Sequence, residues 1–191
     1  MVSFIIRGVY IMNADELKVL QKAQRISSWN SQKLYYTIGK THQRTWTVKR
    51  NEVYFVDLGE NIGSEENKIR PVVVLQANSY NFSSPVFTCA IISTSPMTIS
   101  DIQIPITGTY TYNDNGVSKQ LIGTIDLGQI KTIGKERIVS RKVCKLITEV
   151  NEINEKLLNV FGLTNLIRSR DNVISSLAGK CEYLENKQKN S

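Results

Sequence analysis

One histidine, His42, stands in 191 residues, together with four prolines, three cysteines and two tryptophans. A single imidazole leaves no ligands for a multi-histidine metal site and argues against a histidine-dependent mechanism. Cys89, Cys144 and Cys181 are odd in number, far apart and without a Cys-x-x-Cys pair, so neither a disulfide framework nor a zinc site is indicated. Cys89 lies inside an apolar, strand-like run and reads as a small buried hydrophobe. No uninterrupted apolar run approaches the roughly 18 residues that a spanning helix needs. The opening MVSFIIRGVYIM has too short an apolar core for a secretory signal. The expectation is a soluble, cytoplasmic chain without a membrane partner. Acidic residues are scarce at one end only: residues 1–50 hold nine Lys/Arg against two Asp/Glu, whereas residues 51–191 hold fifteen of each. The whole net charge of +7 therefore belongs to the N-terminal segment. Such a segment either touches a polyanion or is a solvated helix whose charge aids solubility.

What is present is enough hydrophobic content, 41%, for one barrel-sized core with appendages. The densest information lies in Arg50 to Gln76, RNEVYFVDLGENIGSEENKIRPVVVLQ. Val53 to Leu58 is rich in β-branched and aromatic residues and Val72 to Leu75 is an apolar run, so both fit buried strands. Gly59 and Gly63 break the polar loop between them. Pro71 pushes Arg70 towards extended backbone, making it the last loop residue before a rigid strand.

Upstream, Asn13-Ala14-Asp15-Glu16 predicts a capped helix start and a helix to about Trp29 with a partial apolar face. Residues 30–50 interleave Tyr35, Tyr36 and Trp46 with cations; these aromatics either stack bases or pack the helix onto the core. Downstream, segments at Val53–Leu58, Val72–Gln76, Val86–Ser93 and Ile102–Ile106, divided by Gly, Asn, Ser and Pro, have the spacing of a small barrel or sandwich. Pro105 marks an edge strand. Asn115-Gly116 signals a type I′ hairpin. Two strands follow, at Leu121–Leu127 and Gln129–Ile133, then a basic alternating segment from Arg137 to Leu146. Thr148 is the expected cap of a helix from Glu149 to Phe161 that ends at Gly162. Asp171 is the expected cap of a last helix. Its stripe of Ile174, Leu177, Cys181 and Leu184 needs a partner: the barrel, the N-terminal helix or a second subunit.

Three pieces, Glu52-Val53-Tyr54-Phe55-Val56-Asp57-Leu58, Gly63-Ser64-Glu65 and Arg70-Pro71-Val72-Val73-Val74-Leu75-Gln76, resemble in order and separation the PemK/MazF family of toxin endoribonucleases. The likeness continues through Ser84-Pro85, Ala90-Ile91-Ile92-Ser93 and Gln129-Ile130-Lys131-Thr132-Ile133. It implies a mainly β fold with α elements: a small SH3-like β-barrel with a C-terminal helix over 50–162. A basic helical N-terminal extension, 1–49, and a C-terminal helical tail, 163–191, flank it. It further implies the toxin of a type II toxin-antitoxin system: a metal-independent, cofactor-free, sequence-selective endoribonuclease acting on single-stranded RNA through the 2′-hydroxyl. A homodimer and a cognate antitoxin partner are part of that expectation.

By the same resemblance the catalytic residues are Arg70, Ser93 and Glu65. Ser64, Lys68, Thr94, Gln129 and Lys131 contact RNA. Arg70 suits a phosphate because its fork is planar and permanently charged, which also makes it an electrostatic stabiliser rather than a base. The structural alternative is a salt bridge from Arg70 to Glu65 or Glu66. Glu65 is either a base or an orienting partner. A one-residue register slip would exchange Ser93 for Thr94. Two competing functions remain: a toxin of the same fold that binds DNA gyrase, and an RNA-binding barrel without cleavage.

Overall fold

The computed structural model describes residues 4–6, 9–96 and 98–189. A short antiparallel hairpin, β1 (Phe4–Ile6) and β2 (Val9–Ile11), opens the chain; three-residue strands carry too little alternation to show in the sequence pattern. Asn13 then caps α1 (Ala14–Gly39): its side chain accepts from the Asp15 and Glu16 amides at 3.0 Å, and Glu16 accepts from the Asn13 amide at 2.9 Å. This reciprocal cap, worth about 1 kcal/mol, is the one that Asn13 and Glu16 predict. The helix runs well past Trp29, because Tyr36 is buried and donates its hydroxyl to Asp57 Oδ2 at 2.7 Å. Burial, reinforced by the Asp57 carboxylate, pushes that hydroxyl up to about 12.

Six strands form one antiparallel sheet in the order β10-β3-β4-β5-β9-β6: β3 (Glu52–Asp57), β4 (Ile69–Val74), β5 (Val86–Ser93), β6 (Gln103–Pro105), β9 (Thr124–Gly134) and β10 (Cys144–Lys145). A short α2 (Asn78–Asn81) links β4 to β5, and β7 (Thr111–Asp114) with β8 (Val117–Gln120) makes a separate hairpin. Its turn residues Asn115 and Gly116 both have positive φ, as a type I′ turn requires. The sheet curls strongly into a half-barrel followed by C-terminal helices, α3 (Val150–Val160), whose Ile153 enters the core, and α4 (Thr164–Lys189).

Alternation explains why both faces are buried. Val53, Val73, Ala90 and Ile92 point to a core shared with Ile153 of α3, while Val72, Val74, Cys89 and Ile91 point to a second core with Val48 and Trp46 against it. A slip of one residue would exchange the two sets, and each buried Val or Ile contributes about 1.5–3 kcal/mol. Pro105 lies on β6, an edge strand. Pro71 sits within β4 opposite Phe55, one residue before the pairing with β5 begins at Val72, so its missing N–H breaks no bond on that side. Arg70 is accordingly a strand residue rather than the last residue of the loop.

Three further expectations are corrected. The two strands foreseen on either side of Gly128 are one strand, β9: pairing jumps from Ala90↔Ile130 to Ile91↔Asp126, and a bulge absorbs the intervening residues without ending the strand. Thr148 does not cap α3. The cap position belongs to Glu149, which makes no side-chain bond to the helix; its carboxylate turns instead to the Thr107 and Gly108 amides and the Tyr110 hydroxyl, each at 2.8 Å. Asp171 is no cap either, since α4 starts at Thr164. Leu166, Ile174, Leu177 and Leu184 of α4 are exposed.

Candidate active site

The loop between β3 and β4 is stiffened by its own amides. Asn61 Nδ2 donates to the Glu66 carbonyl at 2.7 Å and to the Leu58 carbonyl at 3.3 Å, and the Asn61 amide donates to Asn67 Oδ1 at 2.5 Å. At its base the Lys68 amide donates to the Gly59 carbonyl, and the Leu58 amide to the Lys68 carbonyl, both at 2.8 Å. Gly59 and Lys68 take φ of +73° and +64° to make that closure; the second is uncommon for a residue with a side chain.

This loop delivers Glu66 between Arg70 and Ser93. Arg70 Nε donates to Glu66 Oε2 at 2.8 Å, and Ser93 Oγ donates to Glu66 Oε1 at 2.7 Å. The Glu66 amide in turn donates to Gln129 Oε1 at 2.8 Å, from the bulged part of β9, where a bulge re-aims a side chain. Burial pushes the Glu66 carboxyl up, but the hydrogen bonds from Ser93 and Arg70 and the Arg70 charge outweigh it. The net shift is downward, so Glu66 is ionised at neutral pH.

The other named residues divide around this trio. Glu65 is not the carboxylate beside Arg70: it lies in the open and pairs with Lys131 Nζ at 2.5 Å, because consecutive loop residues leave the backbone in different directions. Ser64, Glu66, Ser93 and Gln129 line a cleft of about 350 Å³, with Ser95, Gln103, Thr124 and Asp126 among its other lining residues. Thr94 lies past the end of β5 and is exposed, and the register that pairs Ser93 with Thr124 turns Ser93 to the trio. Lys68 lines a different groove, shared with Arg70 and α1. Of the two salt-bridge partners that the sequence offers Arg70, the structure pairs it with Glu66; Asp126 and Gln103 are not singled out by the sequence pattern.

The N-terminal cations are partly consumed in docking. Lys22 and Arg25 reach Glu60 at 2.7 and 3.4 Å, Arg44 pairs with Glu136, and Arg50 donates to Asn154 Oδ1 at 2.8 Å. Among the aromatics, Tyr36 and Trp46 pack inward and Tyr35 is exposed.

The sequence model for the PemK-like, MazF-like toxin of type II toxin-antitoxin systems matches residues 49–161. The chain belongs to this family. Within the family, the "Endoribonuclease EndoA" of Bacillus subtilis (strain 168) is 32% identical over 113 residues, 59% of this chain and 92% of that protein. The "Endoribonuclease MazF" of Staphylococcus epidermidis is 29% identical over 118 residues, 62% of this chain and 94% of that protein. Among solved structures, an "Endoribonuclease in complex with its cognate antitoxin from Mycobacterial species" aligns with a TM-score of 0.47 at 21% identity, covering 61% of this chain and 96% of that one. The matched region of this family member contains the loop, Arg70, Ser93 and Gln129, whereas all of α1 and α4 lie outside it. No helix among the described residues is long and apolar enough to cross a membrane.

Proposed function

We propose that this chain is an endoribonuclease toxin that cuts single-stranded RNA at selected sequences, works in the cytoplasm as a homodimer, and is held inactive by a cognate antitoxin. The observation that carries the reading is the bridge of Glu66 between Arg70 and Ser93 at 2.8 and 2.7 Å beside an open cleft. The chemistry is assigned to 50–162, with 1–49 and 163–191 as appendages.

In this reading the 2′-oxygen of the nucleotide preceding the break attacks the adjacent phosphorus while Glu66 takes its proton. The bond from phosphorus to the 5′-oxygen breaks, that oxygen takes a proton from water, and a 2′,3′-cyclic phosphate remains. Only RNA carries the attacking hydroxyl. Arg70 holds the phosphoryl oxygens, whose charge grows in the transition state; a fixed donor of this kind lowers the barrier by roughly 3–4 kcal/mol.

The base and the stabilisers are coupled. In the free protein Arg70 and Ser93 hold Glu66 ionised. When a phosphate draws both groups to itself, the burial contribution is left and raises the carboxyl, which improves its match to the proton it must accept. Glu66 thus takes the place for which Glu65 is the expectation from sequence. Gln129 fixes the loop; Ser64, which lines the cleft, and Lys131, paired with Glu65, are the groups offered to RNA.

Incubating the purified chain with a mixed RNA pool and mapping the 5′ ends tests the proposal. Discrete breaks carrying cyclic phosphate are expected. Intact RNA together with inhibition of DNA gyrase would reverse it.

A further inference from the structure

An open groove of about 710 Å³ separates α1 from the β3–β4 loop; Gln21, Gln24, Arg25, Ser28, Lys68 and Arg70 are among its lining residues. Residues 21, 24, 25, 28 and 32 recur at three- and four-residue steps and therefore share one face of α1. A helix laid on a barrel ordinarily turns an apolar stripe inward. In α1 the face towards the loop carries amide, hydroxyl and guanidinium groups around the single indole of Trp29, while Leu20, Leu34 and Ile38 are exposed.

The helix is held at separate points rather than along its length. Trp29 lies so close over Gly59 that a Cβ there would come within 2.1 Å of the indole, and the Arg137 guanidinium sits 5.1 Å from the indole centroid. Tyr36 is tied to Asp57, and Lys22 and Arg25 to Glu60. Held this way, α1 stands off the loop and leaves an open channel.

Three features fit that channel to nucleotides. Arg70 lines it and also bonds Glu66 in the cleft, so the channel begins at the group assigned to the phosphate. Its charges are Arg25, Lys68 and Arg70, with Lys22 beside them, against Asp57 and Glu60. Both carboxylates are already satisfied, Asp57 by Tyr36 and the Gly59 amide and Glu60 by Lys22 and Arg25. Finally, exposed Gln21 and Gln24 present carboxamides, which pair with base edges in two directions at once.

We propose that the α1 groove is a second RNA subsite. It receives the nucleotides that continue from the phosphate at Arg70, with Gln21 and Gln24 reading bases and Arg25 and Lys68 meeting the backbone. The inference rests on the proposed ribonuclease reading and extends it beyond residues 49–161.

The test uses the full chain carrying Trp46→Phe, so that Trp29 is the remaining indole. The probes are a short and a long 2′-O-methyl oligoribonucleotide of one sequence, which bind without offering a 2′-hydroxyl. The long probe is expected to quench Trp29 and to bind about tenfold more tightly than the short one. Gln21→Ala combined with Gln24→Ala, which keeps good helix formers, is expected to erase that about tenfold advantage and to raise KM for long cleavable RNA. Equal affinity for both probes with Trp29 emission unchanged would overturn the subsite, as would faster cleavage by the double variant, which would make α1 an obstruction. Failure of the unsubstituted chain to cut RNA would instead count against the ribonuclease reading, and the length-dependent quenching would still decide whether the groove binds RNA.

Discussion

Arg70 and Glu66 are joined at 2.8 Å, Nε to Oε2, across a loop-to-strand junction. The pair marks which carboxylate of the Glu65-Glu66 doublet faces Ser93, and most of what can be tested about the site follows from it.

Arg70→Ala is expected to lower kcat about 10²–10³-fold with the circular dichroism spectrum unchanged. Arg70→Lys should recover little of that loss, since a point charge does not reproduce a planar fork. Discontinuous assays on a mixed RNA pool measure both, and undiminished cleavage by the alanine variant would sink the site.

The two glutamates separate cleanly. Glu66→Gln is expected to cost about 10²–10⁴-fold in kcat, the range for a general base, whereas Glu65→Gln should change it only a few-fold, because Glu65 is engaged with Lys131 instead. The carboxyl of Glu66 is held below its ordinary value and must be ionised to accept a proton. In the unsubstituted protein kcat/KM should therefore fall only as pH drops below the ordinary range of a glutamate carboxyl, and this acid limb should vanish in Glu66→Gln.

Ser93→Ala removes a donor 2.7 Å from Glu66 and is expected to lower kcat/KM about tenfold, in line with a hydrogen bond to a charged group. Thr94→Ala, beyond the strand end, should leave it within twofold by the same scale. The reverse order in steady-state kinetics would mean that the strand slips by one residue in solution.

Glu149 governs stability rather than cutting. It is 2% exposed and accepts from two amides and the Tyr110 hydroxyl. Glu149→Gln should cost about 1–3 kcal/mol, the penalty for weakening a buried, charge-assisted network. Burial raises this carboxyl, but the bonds from Gly108, Tyr110 and Thr107 lower it further, and the net shift is downward. A depressed carboxyl stabilises the fold above its unfolded value, and the contribution is lost as pH falls through the folded one. Denaturant melts should therefore show Glu149→Gln converging on the unsubstituted protein in acid.

Gly59→Ala probes the seat of α1. The added methyl would meet Trp29 at 2.1 Å, at a φ of +73°, a backbone that costs roughly 1–2 kcal/mol with a side chain. Displacement of α1, seen as a red shift of indole emission, is expected without loss of the far-ultraviolet β signal.

The sequence by itself determined the central strands and the place of Arg70 beside Pro71. Val53, Val72 to Leu75 and Val86 to Ser93 fall in β3, β4 and β5 or directly beside them because apolar alternation is periodic and local. β5 matches residue for residue. The Asn13-Glu16 cap and the Asn115-Gly116 turn are equally local. The tertiary structure alone decided the rest. A loop has no period, so nothing in Glu65-Glu66 says which side chain turns towards Ser93; that is settled by Asn61 pinning the loop and by a bulge aiming Gln129 at it. Nor does composition say where basic residues go. Lys22 and Arg25 meet Glu60, 38 and 35 positions away, and only that long-range docking turns a charged arm into one wall of a groove ending at Arg70.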